Sequence, residues 1–140
     1  MRTVEYDGET YLLRKQSGES SLIEHPKTGE TQYVENDAID GVAGESPLET
    51  AARAVPESVR KLISATHSDR ALGLLLEIDA QGPVAARELI GRYDTCESDL
   101  HGMLGEFRAA GLVEEATVVG ERGYDTTAAG EEAVAFLRRE

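Results

Sequence analysis

The stretch Asp94-Thr-Cys-Glu-Ser-Asp-Leu-His-Gly-Met-Leu-Gly-Glu-Phe-Arg-Ala-Ala-Gly111 decides how the C-terminal half of this chain is read. Leu100, Met103, Leu104 and Phe107 recur at the i, i+3, i+4, i+7 spacing that lines up apolar side chains on one face of a helix. Asp94, with Glu97 three residues on, has the pattern of a capping box: the first side chain accepts from first-turn N–H groups and the second reaches back. Gly111 supplies the stop, because glycine adopts the left-handed conformation that closes a helix. The pattern predicts a helix over 95–109 with one face in a core.

Reading outward toward the C-terminus, Leu112 to Val119 contains the β-branched Val113, Thr117, Val118 and Val119. Gly120-Glu-Arg-Gly123 reads as a tip and Tyr124-Asp-Thr-Thr127 as a return strand, together a hairpin. Ala128, Ala133, Val134, Phe136 and Leu137, set among charged residues, then predict a closing amphipathic helix. On the N-terminal side, Ser68 or Asp69 caps a helix with Ala71, Leu72, Leu75 and Ile78 inward, ended by Gly82-Pro83. Val84 to Arg92 reads as the next helix, with Ala85, Leu89 and Ile90 inward, and Tyr93-Asp94-Thr95 turns into 95–109. Two helices joined by so short a turn have the helix-turn-helix spacing.

Residues 1–45 read differently. Asp7-Gly8 is a two-residue hairpin signal between Thr3–Tyr6 and Thr10–Lys15, Ser17-Gly18-Glu19 is a second break before Ser20–His25, and Pro26-Lys-Thr-Gly29 is a third, followed by Thr31–Glu35. Three or four short antiparallel strands follow from these breaks. Val4, Tyr6, Tyr11, Leu12, Leu13, Leu22, Ile23, Tyr33 and Val34 are few large apolar groups for an independent sheet, so the unit is expected to pack on something else. It serves either as a structural cap or as a module for a protein partner or a second copy. Asn36 to Glu45 reads as an acidic linker, and Ser46-Pro47-Leu48-Glu49 as a helix start. Pro56 interrupts that helix; a second carries Val59, Leu62 and Ile63 in one stripe. The expected fold class is thus α+β: a small antiparallel β unit at 1–45, connecting helices at 46–66, and a helical domain with a hairpin at 67–140.

Charge is the most unusual property of the composition. Twenty-seven acidic against 14 basic residues give −13, and only Lys15, Lys27 and Lys61 are lysines. An acid-rich, lysine-poor, arginine-preferring composition resembles that of proteins from salt-accumulating halophilic archaea; the alternative is an ordinary acidic protein that avoids polyanions. Only 46–66 departs from it, with Arg53, Arg60 and Lys61 against Glu49 and Glu57, which suits either a connecting helix or a phosphate-facing patch. No apolar run approaches the ~18 residues of a membrane span, and the N-terminus lacks the shape of a signal peptide, so a cytoplasmic protein is expected. One cysteine, Cys96, excludes an intrachain disulfide framework.

Residues 69–137 resemble the winged helix-turn-helix regulators of the MarR, PadR and ArsR type. The resemblance is carried by Ala85-Ala-Arg-Glu-Leu-Ile90, by Leu100-His-Gly-Met-Leu-Gly-Glu-Phe-Arg-Ala-Ala-Gly-Leu-Val113, and by Arg122-Gly-Tyr-Asp-Thr-Thr-Ala-Ala-Gly130. It covers half the chain and leaves 1–45 outside. It implies a transcriptional regulator that binds double-stranded DNA with the helix 95–109 in the major groove and the hairpin, the wing, on backbone or minor groove. The residues it assigns to DNA are Thr95, Glu97, Ser98, His101 and Gly102, with Arg87, Arg92, Arg108 and Arg122 as the available cations. Homodimerisation through the closing helix, with Ala133, Phe136 and Leu137, is expected with it.

Several residues keep two readings. Residues 67–140 hold 7 basic against 15 acidic side chains, −8, which opposes DNA and leaves open a winged helix that docks on protein. Gly102 and Gly105 each cost about 1 kcal/mol relative to alanine within a helix, and either permit close approach or are tolerated. Cys96 is either a packed small residue or a redox-sensitive thiol at a helix start. His101 lies one turn after Glu97, but a metal site needs more ligands than this pair, and none is expected, nor any cofactor. No phosphate loop, paired-cysteine motif, nucleophile elbow or His-Glu metal motif occurs, so the sequence does not predict an enzyme.

Overall fold

In the computed structural model, which describes residues 2–139, Asp7 and Gly8 take φ of 51° and 79°. Two consecutive positive values are what a type I′ hairpin turn requires, and Asp-Gly tolerates them. The turn joins β1 (Arg2–Tyr6) to β2 (Glu9–Gln16). With β3 (Ser20–Glu24), β4 (Thr31–Glu35) and the two-residue β5 (Asp40–Gly41), they form an antiparallel sheet in the order β4-β3-β2-β1-β5. The expected linker therefore lies partly inside the sheet. Asn36–Ala38 form a short 3-10 turn, and Asp40 and Gly41 pair with Glu5 and Val4.

Strand period sorts the side chains of this sheet into two faces. Val4, Tyr11, Leu13, Ile23 and Val34 form one buried cluster, with Tyr6 and Ile39 packed against it. Burial, with the Glu9 carboxylate 3.3 Å from its hydroxyl, pushes the Tyr11 phenol above its ordinary pKa. Leu12 and Thr3 point the other way and are also buried. There α1 (Pro47–Ala52), capped by the Ser46 hydroxyl accepting from Leu48 N–H, lies on β1 and β2. The Thr50 hydroxyl meets that of Thr3 at 2.6 Å. A β-bulge at Arg14 lets Lys15 pair with Leu22 after Leu13 has paired with Ile23.

The chain divides between Pro56 and Glu57 into two compact units. The segment 46–66, expected as one connector, is split by that division: α1 belongs to the first unit and α2 (Glu57–Ala65) to the second. In the second unit α2 packs mainly on α6 (Ala128–Leu137). Val59 and Leu62 are buried, but Ile63, expected beside them, is exposed. Ala133 is fully buried within the chain, which corrects its assignment to a dimer surface; Phe136 is half-buried beneath Arg139, and Leu137 is exposed.

α3 (Asp69–Gln81) is capped by the Ser68 hydroxyl, which accepts from Ala71 N–H at 3.1 Å, and buries Ala71, Leu74, Leu75 and Ile78. Val84 and Ala85, expected as the first turn of a helix, instead form the short strand β6. Their partners are Tyr124 and Gly123 in β8 (Glu121–Thr126), which also pairs with β7 (Val113–Val118), so the order is β6-β8-β7. Helix α4 follows over Ala86–Tyr93, and α5 over Glu97–Ala109. Among the described residues no helix is long and apolar enough to cross a membrane.

Candidate functional site

Asp94 does not cap α5. It ends α4 in the left-handed conformation, φ 50° and ψ 46°, its N–H bonded to the Ile90 carbonyl. Aspartate is among the few residues that visit this region readily, so the same side chain suits a helix end and a helix start. The N-cap of α5 is Cys96, which makes no side-chain capping bond. Thr95 Oγ1 instead donates to the Tyr93 carbonyl at 3.3 Å, inside the turn. The far end of α5 closes as its sequence predicts. Gly111 has φ 76°; its N–H meets the Arg108 carbonyl and Leu112 N–H meets that of Phe107, a Schellman motif.

Between these ends, Leu100, Leu104 and Phe107 are buried and Met103 is half-buried. Glu97, Ser98, His101, Gly102, Gly105 and Arg108 are exposed, the side expected for them. His101 Nε2 lies 3.5 Å from Glu97 Oε1 and Ser98 Oγ 3.5 Å from Cys96 Sγ. A Cβ built on Gly102 or Gly105 meets nothing within 4 Å, so neither glycine is required by a neighbouring element of this chain.

Three of the four candidate arginines are paired with carboxylates. Arg87, at the start of α4, reaches Glu121 of β8 at 3.1 Å, and Arg108, at the end of α5, reaches Glu115 of β7 at 3.3 Å. These two pairs tie the helices to the hairpin. Arg92 binds Glu88 at 3.7 Å and donates to Gln81 Oε1, which joins it to a buried-edge chain in which the Gln81 amide donates to Tyr93 Oη and Tyr93 donates to Glu77. Arg122, on β8 opposite Thr117 of β7, is exposed with no carboxylate partner among the described residues.

Two features were missed from sequence. The hairpin tip is Val119-Gly120, with φ 50° and 77°, whereas Glu121, Arg122 and Gly123, expected at the tip, lie in β8. A β-branched residue rarely takes positive φ, and nothing local announces Val119 for it. It is 97% exposed. The second is a group of basic side chains gathered beside α5, of which the sequence singled out Arg60 and Lys61 but not Arg70. A trough of about 530 Å³ between α2 and α5 is lined by Arg60 and Lys61, and it adjoins a depression of about 360 Å³ where Ser98 and Gly102 meet His67 and Arg70. His67 lies 3.7 Å from Glu106, Arg70 3.9 Å from Asp99 and Lys61 3.4 Å from Glu57. Arg70 could have been found, since with Leu74 it shares the face of α3 that turns toward α5. Among the described residues no group of three His, Cys, Asp or Glu side chains is arranged to hold a metal ion.

A family model described as a family of unknown function, DUF7346, matches residues 1–138. The chain belongs to that family. The match runs through both units, including the β unit that the regulator resemblance leaves out. Comparison with curated proteins and with solved structures gave no match.

Proposed function

We propose that residues 57–140 form a winged helix-turn-helix and that the chain is a transcriptional regulator reading double-stranded DNA through α5. The observation that carries this reading is topological. The run α3-β6-α4-α5-β7-β8 with sheet order β6-β8-β7 matches a winged helix element by element, including the short first strand. An exposed half-helix beside a two-residue hairpin tip is the pairing such domains present to a major groove and its flank. On α5, Glu97 accepts from cytosine N4, and Ser98 and His101 donate or accept at base edges. Thr95, in the turn, and Arg122, on the hairpin, bond to phosphates. The bare backbone at Gly102 lets a groove wall come close.

Affinity on this reading comes little from counterion release, since few phosphates are neutralised. In molar salt, which the acid-rich composition suits, charges beyond ~3 Å are screened, and the carboxylates of Glu114 and Glu115 repel DNA weakly. One observation favours a second reading, an α5 that docks on protein: Arg87, Arg92 and Arg108 are each held by a carboxylate. Chromatin pull-down with sequencing distinguishes the two, using a tagged chain and its Arg122→Glu and Ser98→Glu variants. The DNA reading expects discrete peaks that the variants lose; peaks absent from the unmodified chain, or unchanged in both variants, reject it in favour of protein docking.

A further inference from the structure

The first unit ends in two unlike edges. On one side β5 contributes only Asp40 and Gly41, with Val42 N–H closing onto the Thr3 carbonyl of β1 at 3.2 Å, so that edge is short. On the other side β4 is five residues long, Thr-Gln-Tyr-Val-Glu, with no proline, lysine or bulge to protect it. Its central residue, Tyr33, is 70% exposed.

The ladder between β3 and β4 establishes which backbone groups remain open. Asn36 N–H meets the Glu19 carbonyl and His25 N–H meets that of Glu30, so the hydrogen-bonded pairs are the odd residues of β3 with the even residues of β4. The N–H and C=O of Thr31, Tyr33 and Glu35 therefore point away from β3, and among the described residues no hydrogen bond reaches them. Their side chains share one face, where Tyr33 sits directly across from Leu22.

We infer that β4 pairs with β4 of a second copy, antiparallel and centred on Tyr33, to make one sheet through both chains. In this register Tyr33 faces its own symmetry mate, and each of the three outward residues gives one N–H and receives one. Thr31 falls opposite Glu35 of the partner, so no carboxylate confronts another. Leu22, Tyr33 and the partner's Tyr33 and Leu22 then form a continuous apolar row, the cross-strand contact that stabilises a sheet. This register suits a copy of this chain, because in it no like charges meet across the paired strands and each open N–H and C=O of Thr31, Tyr33 and Glu35 finds a partner on the same segment of the second copy. The net charge of −13 per chain opposes association, so the pairing requires screening salt.

The inference is independent of the DNA reading and is tested without DNA, by sedimentation in molar KCl. The expected result is a monomer that becomes a dimer as concentration rises through the micromolar range, while Tyr33→Lys stays monomeric with an unchanged circular dichroism spectrum. Register is tested by oxidation in a Cys96→Ser background. Paired residues of a hydrogen-bonded site stand about 5.5 Å apart between Cα atoms, within disulfide reach, so a mixture of Thr31→Cys and Glu35→Cys chains should cross-link several-fold more than either alone. A chain monomeric at every concentration, a Tyr33→Lys variant that still dimerises, or equal cross-linking in all mixtures overturns the proposal. Uptake of a foreign strand peptide by a chain that remains monomeric also overturns it, and assigns the edge to a different partner.

Discussion

Gly130, in the first turn of α6, has no room for a methyl group: a Cβ there would overlap the carbonyl of Leu112, which already accepts Thr127 N–H at 3.0 Å. Gly130→Ala must move backbone, and overpacking of this kind costs about 1–3 kcal/mol. Gly102→Ala and Gly105→Ala do the opposite, since open space surrounds both and alanine is the better helix former by about 1 kcal/mol each. Thermal melts of the three variants check this, with Gly130→Ala expected to fall and the α5 variants to rise. If the α5 variants melt higher yet lose chromatin occupancy, the glycines serve contact with a ligand and not the fold. The sequence pattern could not separate these positions. Periodicity located Leu100, Leu104 and Phe107 in the core, but the space around a glycine depends on elements distant in the chain.

At the scale of the element, the two hairpins use the same turn with unequal chemistry. Asp7-Gly8 carries it with residues that accept positive φ, and Val119-Gly120 carries it with a β-branched residue that does not. Val119→Asn should therefore stabilise the second unit by about 1 kcal/mol, the penalty an L-residue bears in the left-handed region. Val119 is almost wholly exposed, so little packing is lost with it. Denaturant titration reads the gain; a midpoint unchanged or lowered would mean that the valine is not strained. Legibility at this scale followed the locality of the signal. The Asp-Gly turn, the Ser68 cap and the Gly111 stop lie within a few residues of what they control, and all three stand. β6 was missed because two residues have no period and their partners, Gly123 and Tyr124, lie far along the chain. Asp94 misled because a capping pattern and a left-handed helix end draw on the same residue types.

For the whole molecule, the division after Pro56 predicts that each unit carries its own core. Residues 57–140 contain a buried set running from Val59 through Leu75, Phe107 and Tyr124 to Val134, so this fragment, expressed alone, should keep a cooperative melt. A broad, non-cooperative transition would show that the first unit is needed for folding. The boundary was only half legible: Pro56 marked it, but the helices on either side of the proline looked like one connector because both are short and weakly charged. The candidate site was legible as a surface and illegible as a field. Exposure along α5 follows from its period, whereas the partners of Arg87, Arg92 and Arg108 lie on other turns and other strands.

The two units are joined covalently through the peptide bond between Pro56 and Glu57. Every α5 is therefore synthesised with one β4 attached, and no change in expression level can alter that one-to-one dosage. The family model spans both sides of that seam. If the proposed DNA contact through α5 and the β4 pairing both hold, a chain truncated at the seam keeps one of the two surfaces and competes with the intact copy, and dominance is the expected genetic behaviour of such a truncation.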